Sequence, residues 1–313
     1  MRIKPVYYIR RYGYQQLPAS YFRRKLQKIR AYEAVCNQDE LNERLNYYCK
    51  LQDAFDIPNQ AIAVKDYKKN GGSDYFLDLK DYLHYFKAET HFAYRFGDDT
   101  RVNAFPTLVK ARPIQGNNAN SVLFKLNKSR HFVWVNDPYV FAQKKDMLVW
   151  RGGAYQDIRK QFVQKFWNHP ACDVGQTNLP KEDKPWEKPF MRIRDQLRYK
   201  FICCPEGNDV ATNLKWVLSS NSLCMMPKPR YETWFMEGQL IAGIHYVELN
   251  TDFSDVESKM QYYLERPEEA AKIIKNANAF VRRFQNPRLE DLLCIKVLER
   301  YAALSGQSVA LKF

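Results

Sequence analysis

The stretch "KFICCPEGNDVATNLKWVLSSNSLCMMP", residues 200–227, decides the fold. An apolar run, Phe201 to Cys204, stops at Pro205-Glu206-Gly207-Asn208-Asp209. Val210, Leu214, Val217 and Leu218 then recur at helical spacing, and a second apolar run, Leu223 to Met226, ends at Pro227. Strand, Gly turn, helix and strand in this order form the repeating unit of a parallel sheet. The turn of such a unit points unpaired backbone N–H groups outward at the positive end of a helix dipole. An anion, and in particular a nucleotide diphosphate, is the ligand suited to that place.

Working outward, the pattern stays regular from residue 146. "DMLVW" reads as a strand, "RGGAY" as a turn, and Ile158, Phe162, Phe166 and Trp167 as one face of a helix. "ACDVG" is a further short strand, and "NLPKEDKPWEKP" a Pro- and Lys-rich connector. After Pro227, "YETWFMEGQL" reads as helical, "GIHYVEL" as a strand, and helices are expected near 254–264, 267–284 and 288–304. Alternating strands and helices predict an α/β fold with a doubly wound parallel sheet over 146–280. Residues 1–145 read as a separate N-terminal domain and 281–313 as helices packing back on the body. In the N-terminal part, "HFAYRFGDD" (91–99) alternates like a strand and ends at Gly97-Asp98, as a strand entering a functional loop does.

The 313 residues are 45% apolar and 15% aromatic, enough for a large core. No run of about 18 apolar residues occurs, so no membrane helix is predicted. "MRIKPVYYIRRYGYQQLP" has neither a hydrophobic signal core nor a small-residue cleavage site, so export is not expected. Seven scattered cysteines, without CxxC or Cys/His metal spacing, read as reduced thiols in a cytoplasm. The net charge of +14 favours a polyanionic partner. It is densest in "FRRKLQKIR" (22–30), where Phe22, Leu26 and Ile29 form an apolar stripe among cations. Such a helix either lies on anionic lipid or packs on its own domain with a solvated basic face.

Two Gly turns follow strands: "WRGGAYQDIR" and "PEGNDVATNLK". Neither is a GxGxxG or P-loop motif, which disfavours ordinary dinucleotide and NTPase sites. Arg151 beside Gly152 and Gly153, with Arg159 further along the helix, suits a diphosphate held by backbone N–H groups and guanidinium. The plainer alternative is a turn needing Gly for its backbone, with a surface Arg. Two such turns at neighbouring strand ends of one sheet favour a ligand. No DxD occurs to hold a metal–diphosphate, which argues for a metal-independent site. Asp98 and Asp99 are the candidate bases, against an Asx turn or helix cap. His91, His131, His169 and His245 have neither HxxxH nor triad spacing, and no GxSxG is present.

Taken in order, "RFGDD", "FPTLVKARPI", "KKDMLVWRGGA", "EGNDVATNLKWVLSSNSLCMMP" and "YETWFMEGQLIAGIHYVELNTDFSDVESKM" carry a resemblance over about residues 90–285. They resemble the lipopolysaccharide-modifying glycosyltransferases related to fungal capsule-associated proteins and animal protein O-glucosyltransferases. The "WRG" turn and the series Glu232, Trp234, Phe235, His245, Tyr246 and Asp252 are its most specific pieces.

The resemblance implies a GT-B architecture, two Rossmann-like domains facing a cleft, with the nucleotide-sugar on the C-terminal one. It also implies a UDP-sugar donor, inversion and no required metal. By position it makes Asp98 the base, with Asp99 its competitor. Arg151, Arg159 and the helix start at Asn208, Asp209, Thr212 and Asn213 would stabilise the departing UDP. Lys110 and Arg112 would hold phosphate, and Glu232 sugar or ribose hydroxyls. The animal enzymes carry Arg where this sequence has Asn213, so charge there must come from Lys215, Arg151 or the backbone. A basic chain of this family is expected at the inner face of a bacterial inner membrane, acting on an anionic lipid-linked saccharide such as lipopolysaccharide core. A nucleic-acid-binding module is the rival of another class, without an RNP, KH or zinc-finger signature to support it. An inactive membrane-associated scaffold is a second rival.

Overall fold

The computed structural model describes residues 4–308 and 311–312. The chain divides into two compact units, residues 1–129 with 285–313, and residues 130–284.

The 130–284 unit is built on a five-stranded sheet. Along the sheet the strands run Val247–Leu249, Leu223–Pro227, Tyr199–Cys203, Lys145–Gly152 and Cys172–Gln176. All neighbours are parallel, with Leu148 opposite both Phe201 and Cys172, and Leu223 opposite Phe201. In chain order this is 2-1-3-4-5, the flavodoxin-like doubly wound order. Its topological switch point lies between the first and third strands, where crossovers leave toward opposite sides. Leu148/Trp150, Phe201/Cys203, Leu223/Met225 and Val247/Leu249 share the two-residue period of a strand, and all lie in one core. Phe162 and Phe166 of the helix Asp157–Phe166, Met260 of Val256–Glu265 and Ile273 of Pro267–Arg282 close over that face. Val149, Ile202 and Cys224 on the opposite face are also buried. Burial on both faces is why these strands read as continuous apolar runs rather than alternating ones.

The unit begins at Arg130, ahead of the boundary at 146 drawn from the sequence. The reason is local: the buried Asp137 accepts from Lys144 Nζ at 2.7 Å and from the Asn221 backbone at 2.8 Å. One carboxylate thus fastens the 130–144 segment to the sheet. "YETWFMEGQL" is not helical. It forms a strand, Tyr231–Thr233, and a single 3₁₀ turn, Glu237–Gln239. Glu237 is drawn inward by Thr233 and Lys215, which outweighs helix propensity.

In the other unit a three-stranded parallel sheet sets Tyr94–Arg95 beside Thr107–Val109 and Thr107–Val109 beside Ser121–Leu123. Helices Ala19–Glu33, Gln38–Tyr48, Ser73–Leu83 and Pro287–Leu304 accompany it. Pro287–Leu304, at the C-terminal end, packs against Ala19–Glu33 and Gln38–Tyr48. Phe22, Leu26 and Ile29 are buried, so the apolar stripe of the basic helix serves its own domain. Glu290 is the polar centre of this packing. It accepts from Arg44 at 2.5 Å and from Lys125 at 2.6 Å, with both carboxylate oxygens used.

Glu290→Ala would leave two buried cations without their anion. It should lower unfolding free energy by about 3–5 kcal/mol. Urea denaturation of the variant measures this, and a loss below about 1 kcal/mol would remove Glu290 from the centre of the packing.

Candidate functional site

In the 130–284 unit the two Gly turns follow the strands Lys145–Gly152 and Tyr199–Cys203, which flank the switch point. Arg159 ties them together. Its Nε donates to the Pro205 and Glu206 carbonyls at 3.2 and 2.9 Å, Nη2 to Pro205 at 3.1 Å, and Nη1 to Gly153 at 3.1 Å. Gly207 is a glycine because of this: a Cβ there would lie 2.9 Å from Arg159 Nη2. A Cβ on Gly153 would lie 2.6 Å from the Tyr155 ring, and one on Gly152 2.7 Å from the Trp150 indole. Gln156 adds a second link, donating to the Asn208 side chain at 2.9 Å.

Glu206 brings in a third strand end. Its carboxylate accepts from the Arg230 and Tyr231 backbones at 2.9 and 3.2 Å and from Arg230 Nε at 2.9 Å. The carboxyl ends of three neighbouring strands are thereby held in one rigid rim. The sequence reading missed Glu206 and Arg230. The signal was present in "PEG" and "PKPR", but nothing in one chain's sequence says that two loops share an ion pair.

Arg151 does not face this rim with a free guanidinium. It is committed to the neighbouring strand, with Nη2 on the Asp173 carboxylate and Nη1 on the Asp173 carbonyl, both at 2.6 Å. Burial would raise the Asp173 pKa. Hydrogen bonds from Arg151 and Tyr199, Arg151's charge and a hydrogen bond from Lys188 outweigh it and hold the group at about 2. Lys215 is fully buried and donates to Glu237 at 2.5 Å, so it supplies no charge to a diphosphate. Asn213 donates back to the Cys203 carbonyl at 2.8 Å and closes the turn. The helix that follows is only Leu214–Leu218, five residues long, so the dipole expected at Asn208–Asn213 is small. Asp209 is buried, with its carbonyl accepting from the Gly207 N–H at 2.9 Å. Thr212 is half-buried, and Glu232 is buried on the strand Tyr231–Thr233.

In the other unit the two acidic candidates separate. Arg95 pairs with Val109 in the parallel sheet, so Asp98 and Lys110 leave the same sheet edge. Gly97, at φ +110°, makes the turn that L-residues disfavour. Asp98 is then held by Lys110 Nζ and by the Tyr75 hydroxyl at 3.0 Å, and Asn127 donates to that hydroxyl at 3.3 Å. The Lys110 side chain is buried, while that of Asp98 is 27% exposed. Asp98 is thus oriented from one side and open on another. Asp99 is taken up by Arg101 through the backbone N–H at 3.0 Å and Nη2 at 2.6 Å, with Arg95 also close. Hydrogen bonds from Arg101 hold its pKa at about 2, which makes it a poorer base than an ordinary carboxylate.

Arg112 is fully buried and committed to backbone carbonyls. It donates to the Tyr47, Tyr48 and Ser121 carbonyls at 2.6, 3.3 and 3.0 Å, satisfying the carbonyl end of the helix Gln38–Tyr48.

Two outcomes follow. Arg159→Lys keeps the charge but cannot reach three carbonyls at once, and should cost about 1.5–3 kcal/mol of stability in chemical denaturation. The second concerns pH. Because the folded pKa of Asp173 is depressed, its stabilisation is present above the ordinary carboxylate pKa of about 4 and is lost as pH falls toward about 2. The gap in melting temperature between wild type and Asp173→Asn should be constant from neutral pH down to about 5 and should close below about 4. A gap that persists at the acid end would contradict the assignment.

Comparison with known proteins gives the family. The family model for glycosyl transferase family 90 matches residues 126–312. The O-glucosyltransferase LpsA of Dichelobacter nodosus is 45% identical over 264 residues, covering 84% of this chain and 83% of that protein. Human protein O-glucosyltransferase 3 is 27% identical over 54% of this chain and 33% of its own length. Protein O-glucosyltransferase 2 of Danio rerio is 25% identical over 53% of this chain and 34% of its own length. The chain belongs to glycosyl transferase family 90 and is a glycosyltransferase.

Proposed function

We propose that this glycosyltransferase moves a sugar from a UDP-sugar to a hydroxyl of a lipopolysaccharide-core or other surface-glycan acceptor, with inversion and without a required metal. The names of the relatives point to glucose as the sugar. GT-B architecture is part of the proposal: the 130–284 unit takes the donor, and Asp98 in the other unit is the base.

The observation that carries this reading is the environment of Asp98. Its carboxylate is aimed by Lys110 and Tyr75 yet remains partly open, as a general base must be. Asp98 takes the proton of the acceptor hydroxyl while that oxygen bonds to the anomeric carbon. The bond from the anomeric carbon to the UDP β-phosphate oxygen breaks on the opposite face, and its electron pair leaves with UDP. In this reading the diphosphate meets the rim of strand ends, whose turns Arg159 fixes before reaction. Arg230 adds an exposed cation: its contact with Glu206 runs through Nε, and its side chain is 59% exposed.

Asp98→Asn should lower kcat by about 10²–10⁴. Its affinity for UDP, measured calorimetrically in excess EDTA, should be unchanged. Asp99→Asn should retain most of its turnover. An Asp98→Asn enzyme with wild-type turnover would dismiss the base. UDP binding no tighter than that of GDP, CMP and ADP would dismiss the donor.

A further inference from the structure

The helix Lys4–Gln15 is amphipathic the wrong way round for a helix that serves its own core. Its inward side carries its polar links beside half-buried tyrosine rings: Arg11 donates to Asp78 at 3.0 Å and to Asp81 at 2.8 Å, Gln15 donates to Asp81 at 2.7 Å, and Tyr14 packs on Phe22. Its outward side is apolar. Val6, Ile9 and Tyr12 follow at three-residue spacing and are exposed, Ile9 to 71%. Leu17 at the turn and Tyr21 at the start of Ala19–Glu33 extend this exposed surface. A helix normally turns its apolar stripe toward the body. Here the body takes the charges, and the stripe is left for something outside.

The charge identifies that partner. Residues 4–33 contain eight Lys or Arg against a single acid, Glu33. Arg10, Arg23, Arg24 and Lys28 are exposed on this hairpin. Two such hairpins would repel each other, which argues against a second copy. Tyrosines beside aliphatic residues and cations are the composition of a helix lying in a membrane interface, with its aromatic rings at headgroup depth. A groove of about 560 Å³ beside the second helix is lined by Lys28 and Arg288, with Lys25 already paired to Asp291.

We propose that the helical hairpin of residues 4–33 docks on an anionic lipid bilayer. The apolar face of the first helix enters the interface, and the cations of both helices meet the headgroups. The sequence left the 22–30 stripe either on anionic lipid or packed on its own domain. That stripe is buried. The proposal does not depend on the donor or the acceptor, because binding is read on vesicles without either.

The test is co-sedimentation of the full chain with vesicles of mixed phosphatidylcholine and phosphatidylglycerol, and with phosphatidylcholine alone. Wild type should bind the anionic vesicles and release them as salt rises. Val6→Ser with Ile9→Ser should weaken binding by at least about tenfold, since both remove apolar area that would enter the interface. Both side chains are exposed, so the melting temperature should not move. Arg23→Gln with Arg24→Gln should weaken binding about 25-fold at low salt, about fivefold per cation. Three results would overturn the proposal: wild type that stays in the supernatant with anionic vesicles, a Val6/Ile9 variant that binds as wild type does, or self-association without lipid that the Val6/Ile9 changes abolish.

Discussion

The strand-end rim of the 130–284 unit depends on one guanidinium. Strand-end loops in a parallel sheet are joined by no ladder hydrogen bonds, and each would otherwise sample its own conformations. Arg159 places a planar set of donors between the Gly153 turn and the Pro205–Gly207 turn and fixes both through backbone carbonyls. Backbone atoms cannot rotate away as a side chain can, so the two turns become one surface. Gly207 follows from the same constraint, since any Cβ there would press on the guanidinium that holds the rim. Glu206, between the two anchored positions, can then carry the Arg230 loop.

This division explains which parts of the molecule the sequence revealed. The sheet of the 130–284 unit was legible because its strands are buried on both faces and are separated by Gly and Pro turns. Length and apolarity alone then mark strand from helix. The strand order was not legible. It depends on which side each crossover takes, and that is a matter of long-range packing, such as Phe162 of the first crossover against the sheet, which no local pattern shows. "YETWFMEGQL" was misread because its apolar residues fit a helical period, whereas the buried Glu237 fixes a different backbone through Thr233 and Lys215. Asp98 stood out from the sequence as a residue after a strand and a Gly. What separates it from Asp99 is Tyr75, 23 positions earlier in the chain, and no local pattern announces that contact.

The candidate cations show the same limit from the opposite side. The sequence offers Arg151, Arg159, Lys215, Lys110 and Arg112 as anion ligands, and composition cannot distinguish them. The fold uses Arg112 to close a helix end, Lys215 to neutralise a buried glutamate, and Arg151 to pin neighbouring strands. A buried cation needs its partner more than an exposed one does, because the desolvation cost falls on it alone when that partner is lost. Cations with buried partners are therefore poor ligands for a group that must arrive and depart.

A leaving group sets the opposite requirement. In the proposed reaction UDP must be held as charge develops on the breaking bond and then released, so full charge neutralisation by locked cations would slow release as it speeded departure. A rim of fixed backbone dipoles stabilises the developing charge without reorganising. One exposed arginine on a loop, tethered through Nε, adds attraction that solvent can replace. In the proposed reaction, then, committing the buried cations to the fold is not a loss to chemistry. It builds the rigid frame that lets weak, reversible contacts suffice for the diphosphate. Asp98, aimed by a buried lysine, faces the same balance at the other reacting atom: held in place by its neighbours, yet open enough to take a proton and give it back.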